Sequence, residues 1–223
     1  MRALNVLLIS IITISTLVTP TALAQRTSDN PLFPVYENGG KPDLVVDPQR
    51  FATHMEIVDR NFDNDPCALQ EGAVGDTGLR RILRFDAVVL NSGDADLVAG
   101  DRTDPNNPFA PLFEFAPCHQ HFHIRDFSVY ELLNSDRTIV LASHKQGFCM
   151  DDALKGDGGK SLGWIDITGV PEGDYIVRVR INTSGTFDEG ANKYANALET
   201  TIHVPDPGKK VKADDSPLIF GRK

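Results

Sequence analysis

Cysteine is scarce in this chain, with three in 223 residues: Cys67, Cys118 and Cys149. A disulfide-dense scaffold is excluded, and the chain is long enough to fold around a buried core. Beyond the stretch from Leu4 to Val18 there is no second long apolar run, which excludes a bundle of membrane-spanning helices. Basic residues are outnumbered, 22 against 31 acidic ones, for a net charge of −9. An acidic surface argues against nucleic acid and anionic membranes as partners and favours cationic ones by steering. No internal repeat or low-complexity tract is present. Tyrosine is sparse, with four in the chain.

The N-terminus has the organisation of a secretory leader. Arg2 gives a positive start, the apolar run follows, and Ala22-Leu23-Ala24 supplies a small-residue cleavage site. Cleavage is expected after Ala24, leaving an exported protein that is secreted or periplasmic. The alternative is a retained N-terminal membrane anchor. Loss of Arg2 makes the mature chain one unit more negative. Roughly 200 residues then remain, the size of one domain.

Residues 25–41 carry Pro31, Pro34, Gly39 and Gly40 and are expected to form a linker or extended arm. A short strand is expected at Asp43 to Val46, and another from Phe51 to Val58, leading into a loop at Asn61 to Pro66. Arg81 to Leu90 alternates and is β-branched, so it predicts one long strand. Further strands are expected at Phe127 to Leu133, Thr138 to Ala142, Trp164 to Ile167, Tyr175 to Ile181 and Ala197 to Val204. Asp101 to Pro111 is a proline-rich loop, and Asp151 to Ser161 a Gly/Asp/Lys-rich one. The charged stretch 205–223 is expected to be a flexible tail. Short strands at regular spacing with turns between them predict an all-β, single-domain sandwich with long loops and little helix, spanning 42–204.

Histidine is also rare, six in all, yet three fall on alternate positions in Cys118-His119-Gln120-His121-Phe122-His123. Neutral imidazole is the commonest metal ligand, and three together without carboxylates favour copper or zinc over a hard cation. On a flat strand His119 and His123 would stand roughly 13 Å apart, too far to share one ion. The segment therefore bends or bulges, or only two of the three bind. Export implies an oxidising compartment, so one disulfide is expected and one thiol is left over. Cys118 is either in that disulfide or a thiolate ligand beside the histidines.

The histidine segment, with Phe127-Ser128-Val129-Tyr130-Glu131-Leu132-Leu133 after it, resembles the copper-binding segment of the lysyl oxidase family, C-H-Q-H-Y-H followed by F-S-x-Y-D-L-L. Three further stretches are similar and in the same order. Asp43-Leu44-Val45-Val46-Asp47-Pro48 resembles the start of the family's catalytic domain. His144-Lys145-Gln146-Gly147-Phe148-Cys149 resembles its H-K-A-S-F-C. Trp164-Ile165-Asp166-Ile167-Thr168-Gly169-Val170, with Gly173-Asp174-Tyr175, resembles its W-I-D-I-T-D-V and G-N-Y.

The resemblance implies an exported copper-dependent oxidoreductase. It would deaminate primary amines, protein lysine side chains or small amines, with dioxygen, giving aldehyde, ammonia and hydrogen peroxide. Its partner would be a primary-amine substrate or a basic protein. Cu(II) would sit on His119, His121 and His123. Lys145 stands where the family's quinone-forming lysine belongs, as half of lysyl tyrosylquinone. The tyrosine half does not carry over. The matching stretch, Ala153 to Gly163, contains none, Tyr130, Tyr175 and Tyr194 match other family positions, and Tyr36 precedes the domain. The alternative function is accordingly a quinone-less copper-binding or copper-handling module on the same scaffold. The resemblance also implies a calcium site, with Asp43, Glu189 and Asn196 as candidates, against the simpler reading of solvated loop residues. It implies a disulfide at Cys118, for which Cys67 is the expected partner, leaving Cys149 unpaired. His144 is a candidate for proton handling near the metal, and His54 and His203 are expected to be structural.

Overall fold

The computed structural model describes residues 22–24, 32–118, 120–143, 148–149 and 162–214, with side chains omitted for 22–24, His121, Phe148, Cys149 and Leu162. Among them the elements run β1 (Ala22–Ala24), β2 (Leu44–Val46), α1 (Pro48–Thr53), β3 (Glu56–Asn61), α2 (Pro66–Gln70), β4 (Leu79–Asp86), β5 (Val89–Asn91) and β6 (Leu97–Val98). They continue with a 3-10 turn at Ala110–Leu112, then β7 (Phe113–Ala116), β8 (His121–Ile124), β9 (Ser128–Leu133), β10 (Ile139–Ala142), β11 (Phe148–Cys149), β12 (Leu162–Asp166), β13 (Gly173–Ile181), β14 (Ala197–Val204) and β15 (Lys212–Ala213).

The fold is all-β and sandwich-like. One sheet has the order β12-β4-β3-β15 and a second β10-β9-β13-β14. Both present alternating apolar side chains inward: Leu83 and Phe85 from β4, Tyr130 and Leu132 from β9, Val177 and Val179 from β13. An aromatic stack crosses the interior. Phe51 meets Phe85 at 5.3 Å and Phe85 meets Tyr130 at 5.1 Å, both edge to face. Gly163 makes room for that stack, since a Cβ there would lie 2.2 Å from the Phe85 ring. A smaller core of Val58, Phe62, Val74 and Ile82 packs with Trp164 under α2. The three-stranded sheet β11-β8-β7 carries the histidine segment, and β2-β5 and β1-β6 are two-stranded.

Three differences from the sequence expectations have physical causes. First, Phe51 lies on α1 rather than at the start of a strand. Asp47 caps that helix by accepting from the N–H groups of Gln49 and Arg50, and Pro48 occupies its first turn. Second, the stretch Arg81 to Leu90 is two strands in two sheets, β4 paired with β3 and β5 paired with β2. The break falls where the buried carboxylate of Asp86 meets His54 Nδ1 at 2.5 Å and the Val88 carbonyl accepts from Asp47 N–H. Third, the stretch expected to be a flexible tail is docked as far as Asp214. β15 pairs parallel with β3, and Asp214 lies between Arg60 at 3.1 Å and Arg84 at 2.9 Å. Arg81 adds hydrogen bonds to the carbonyls of Asp206 and Lys209. Three guanidinium groups thus hold a strand whose composition alone reads as solvated.

Of the expected leader, Ala22–Ala24 is described, as β1 paired antiparallel with β6. No helix among the described residues is long and apolar enough to cross a membrane.

Candidate metal centres

The histidine segment is a hairpin. Strands β7 and β8 pair antiparallel, with Ala116 opposite His121 and Glu114 opposite His123. Between them the chain reverses over residues 117–120. Gln120 adopts φ 59, and its N–H donates to the Ala116 carbonyl at 2.9 Å. A positive φ at a non-glycine residue is uncommon and marks a sharp local turn. The segment is therefore not one flat strand: it turns at Gln120, and β8 is only four residues long. At the other end Asp126 takes φ 56 and redirects the chain into β9 of the larger sheet.

His123 is buried, 7% exposed, on β8 between β7 and β11, where its register partner in β11 is Cys149. The side chains of His119 and His121 lie outside what the structure describes, as do Lys145, His144 and the stretch 150–161. Among the described residues no group of three His, Cys, Asp or Glu side chains stands together. Cys118 is disulfide-bonded to Cys67 of α2, with Cα atoms 5.5 Å apart. Its sulfur therefore provides no thiolate, which decides between the two roles open for it. The bond also anchors the residue before His119 to a helix of the small core. The remaining described histidines are engaged elsewhere. His54 pairs with Asp86, and His203 Nδ1 lies 2.8 Å from Asp174.

A second constellation gathers Asp43, Glu189 and Asn196 from distant parts of the chain. Asp43 is fully buried. Its Oδ2 accepts from the Tyr36 hydroxyl at 2.6 Å and from Tyr194 N–H at 3.1 Å. Glu189 is also buried. Its Oε2 accepts from Leu44 N–H at 2.6 Å, and its Oε1 from the amides of Asn182, at 2.5 Å, and Asn196. The carboxylate of Glu189 is thus occupied by donors. Asn192, which the sequence reading did not single out, completes the group. Its side-chain amide is aimed at three oxygens: Asp43 Oδ1 at 2.9 Å, Asn196 Oδ1 at 3.1 Å and the Tyr194 carbonyl. Turned with its NH₂ inward, this amide serves as their donor. The same converging oxygens are of the kind a hard cation takes. An open cavity of about 350 Å³ adjoins the group, lined by Arg180, Asn182, Glu189, Asn192 and Asn196.

This cluster also holds the N-terminal arm. Burial, together with the hydrogen bond to Asp43, pushes the Tyr36 phenol up to about 12, so it remains a donor at any physiological pH. Asn38 donates to the carbonyls of Pro42 and Glu189, and Lys41 pairs with Asp188 at 2.5 Å. Of the stretch expected to be an arm, the described part from residue 32 is thus seated on the loop 188–196. Its seating was hidden in the sequence because the partners lie about 150 residues away.

An all-β sandwich bearing a histidine hairpin stapled by one disulfide is the class of scaffold that the described residues define. Comparison with known proteins specifies it. The family model for lysyl oxidase matches residues 42–162. The human protein "Lysyl oxidase homolog 2" is 30% identical over 191 residues, covering 70% of this chain and 24% of that protein. Human "Lysyl oxidase homolog 1" is 31% identical over 230 residues, 87% of this chain and 38% of that protein. "Protein-lysine 6-oxidase" of Sus scrofa is 32% identical over 196 residues, 72% of this chain and 75% of that protein. This chain belongs to the lysyl oxidase family. It spans about a quarter of the length of the lysyl oxidase homolog 2 proteins it matches.

Proposed function

We propose that this chain is an exported copper-binding protein of the lysyl oxidase type, secreted or periplasmic, with its functional domain at 42–204. Cu(II) is held by His119, His121 and His123. The observation that carries the proposal is the donor set: three imidazoles at one locus, on a segment that turns at Gln120 rather than running flat. Imidazole suits copper, and the disulfide at Cys118 anchors the N-terminal end of the ligand segment. When bound, the ion supplies a one-electron redox centre and a Lewis acid. Strand β8 sets His121 and His123 opposite Ala116 and Glu114 of β7, and His123 is kept out of water.

Family membership supports oxidative deamination of primary amines, from basic proteins or small amines, as the associated activity. That activity uses lysyl tyrosylquinone. Lys145 matches the lysine half, but the residues present do not fit the tyrosine half. The alternative reading, a copper-binding or copper-handling module without the quinone, rests on this mismatch.

The test is copper retention by the mature chain under equilibrium dialysis. About one Cu(II) per chain is expected, with affinity falling at least 100-fold in His121→Ala, since first-ligand loss exceeds the 10–100-fold typical of outer-shell changes. Undiminished copper in His121→Ala would remove the proposal.

We further propose that calcium binds at Asp43, Asn192, Asn196 and the Tyr194 carbonyl, with Glu189 holding the Asn182 and Asn196 amides and Leu44 N–H beside them. Carboxylate, amide and carbonyl oxygens of this kind fit a hard cation. Calcium in millimolar excess is expected to raise the melting temperature by several degrees in the wild type, by mass action on the folded state, and by less than one degree in Asp43→Asn. An equal shift in both proteins would place the ion elsewhere.

A further inference from the structure

The four tyrosines of the chain all fall in described residues. None lies on β7, β8 or β11, the three strands of the histidine sheet. Tyr36 is tied through its hydroxyl to Asp43 and Lys193 N–H, and its ring is covered by the Lys193 ammonium at 4.9 Å. Tyr194 packs edge-on between Phe33 at 4.9 Å and Tyr36 at 5.9 Å. Both belong to the oxygen cluster that seats the N-terminal arm. Tyr175 lies on β13, and its hydroxyl donates to the Pro171 carbonyl at 3.1 Å.

Tyr130 is the strongest rival. Its carbonyl accepts from Ser143 N–H at 2.8 Å, and Ser143 is two residues before Lys145. Yet its ring is only 7% exposed and is packed edge-to-face on Phe85 inside the sandwich. A ring that is to be oxidised and joined to a lysine must be open to dioxygen and to that lysine. A ring that forms the middle of the core stack is closed to dioxygen.

We infer that copper in this chain matures without a tyrosine-derived quinone and that Lys145 keeps a free amine. The inference rests on the copper proposal and decides between its two readings. Its chemical consequence follows from electron counting. Conversion of a primary amine to an aldehyde and ammonia removes two electrons and adds one water, while reduction of dioxygen to hydrogen peroxide takes those two electrons and two protons. A single copper cycling between Cu(II) and Cu(I) accepts one. With no organic two-electron acceptor, the domain binds copper and does not deaminate amines.

The experiment is intact-mass and peptide-map analysis of the full exported chain, loaded with copper under air, with copper content measured on the same sample. The mass expected is that of the mature sequence less the two hydrogens of the Cys67–Cys118 bond. The peptide bearing Lys145 is expected to be unmodified, and no quinone absorbance is expected. A peptide joining Lys145 to any tyrosine would overturn the inference while leaving the copper proposal standing. Repeating the map with Tyr130→Phe, which keeps the core ring, would identify Tyr130 as its source if the joined peptide then vanished. A sample that holds no copper would overturn both.

Discussion

Replacing Cys67 and Cys118 together by alanine is expected to lower the unfolding free energy by about 4 kcal/mol. The bond closes a loop between residues 51 apart, and loop-closure entropy for that length corresponds to about 4 kcal/mol in the chain-entropy account. A domain of this kind has only about 5–15 kcal/mol in total, so the loss is a large fraction of its stability. With a urea slope of about 2 kcal/mol/M the midpoint should fall by about 2 M. The loop contains β4 to β7 and ends beside His119, so the same change frees the N-terminal end of the ligand segment. Copper affinity should therefore fall as well, even at urea concentrations where the double variant is still folded. A midpoint shift below about 0.5 M would show that the bond neither constrains the unfolded chain nor supports the hairpin.

The second large effect is expected at Glu131, which the sequence reading passed over as part of a strand. Its side chain is 3% exposed on β9 and receives Arg178 at 2.6 Å and Arg180 at 2.9 Å from β13. Burial alone would raise its pKa, but the hydrogen bonds from the two guanidinium groups outweigh burial and hold it below the ordinary carboxylate range. Glu131→Gln keeps the shape and leaves two cations without their common partner. Breaking a fully buried pair costs about 3–5 kcal/mol. Arg178 and Arg180 are partly in water, 21% and 39% exposed, so about 2–3 kcal/mol is the discounted expectation. The pH dependence has a definite sign. A depressed folded pKa gives stability that is complete above the ordinary value of 4.5 and is lost as pH falls through the folded value. Wild type and Glu131→Gln should thus differ most near pH 7 in denaturant titrations and converge below pH 4. A difference that stays constant with pH would assign the effect to packing instead.

Periodicity was sufficient for the long strands. Tyr175 to Ile181 lies within β13, and Ala197–Val204 is β14 end to end, because each alternates between the sandwich interior and solvent. The two short helices were legible but missed. Each begins with an Asp-Pro pair, Asp47-Pro48 and Asp65-Pro66, in which the carboxylate caps the helix and proline fills its first turn. The split of β4 from β5 was not legible, since Ala87 and Val88 carry no turn signal and the break depends on contacts from His54 and Asp47. Nor was the docking of β15, which needs Arg60, Arg81 and Arg84 from strands more than a hundred residues earlier.

The site divides in the same way. The histidine segment announced itself by spacing, and a turn at Gln120 falls within it. The oxygen cluster was half visible. Asp43, Glu189 and Asn196 were nominated, but Glu189 turns out to organise donors, while Asn192 provides the central side chain. A lone asparagine in Gly190-Ala191-Asn192-Lys193 has no spacing that separates it from an ordinary turn residue, and only the fold brings Asp43 against it.

The chain is proposed to hold a copper ion on three imidazoles with no organic partner. Electron paramagnetic resonance of the copper-loaded mature chain tests it most directly. The predicted spectrum is that of one Cu(II) per chain with coupling to three nitrogens, reduced to two in His121→Ala, and with no accompanying quinone absorbance. Copper signals that are adventitious in amount and unchanged by His121→Ala would contradict the account.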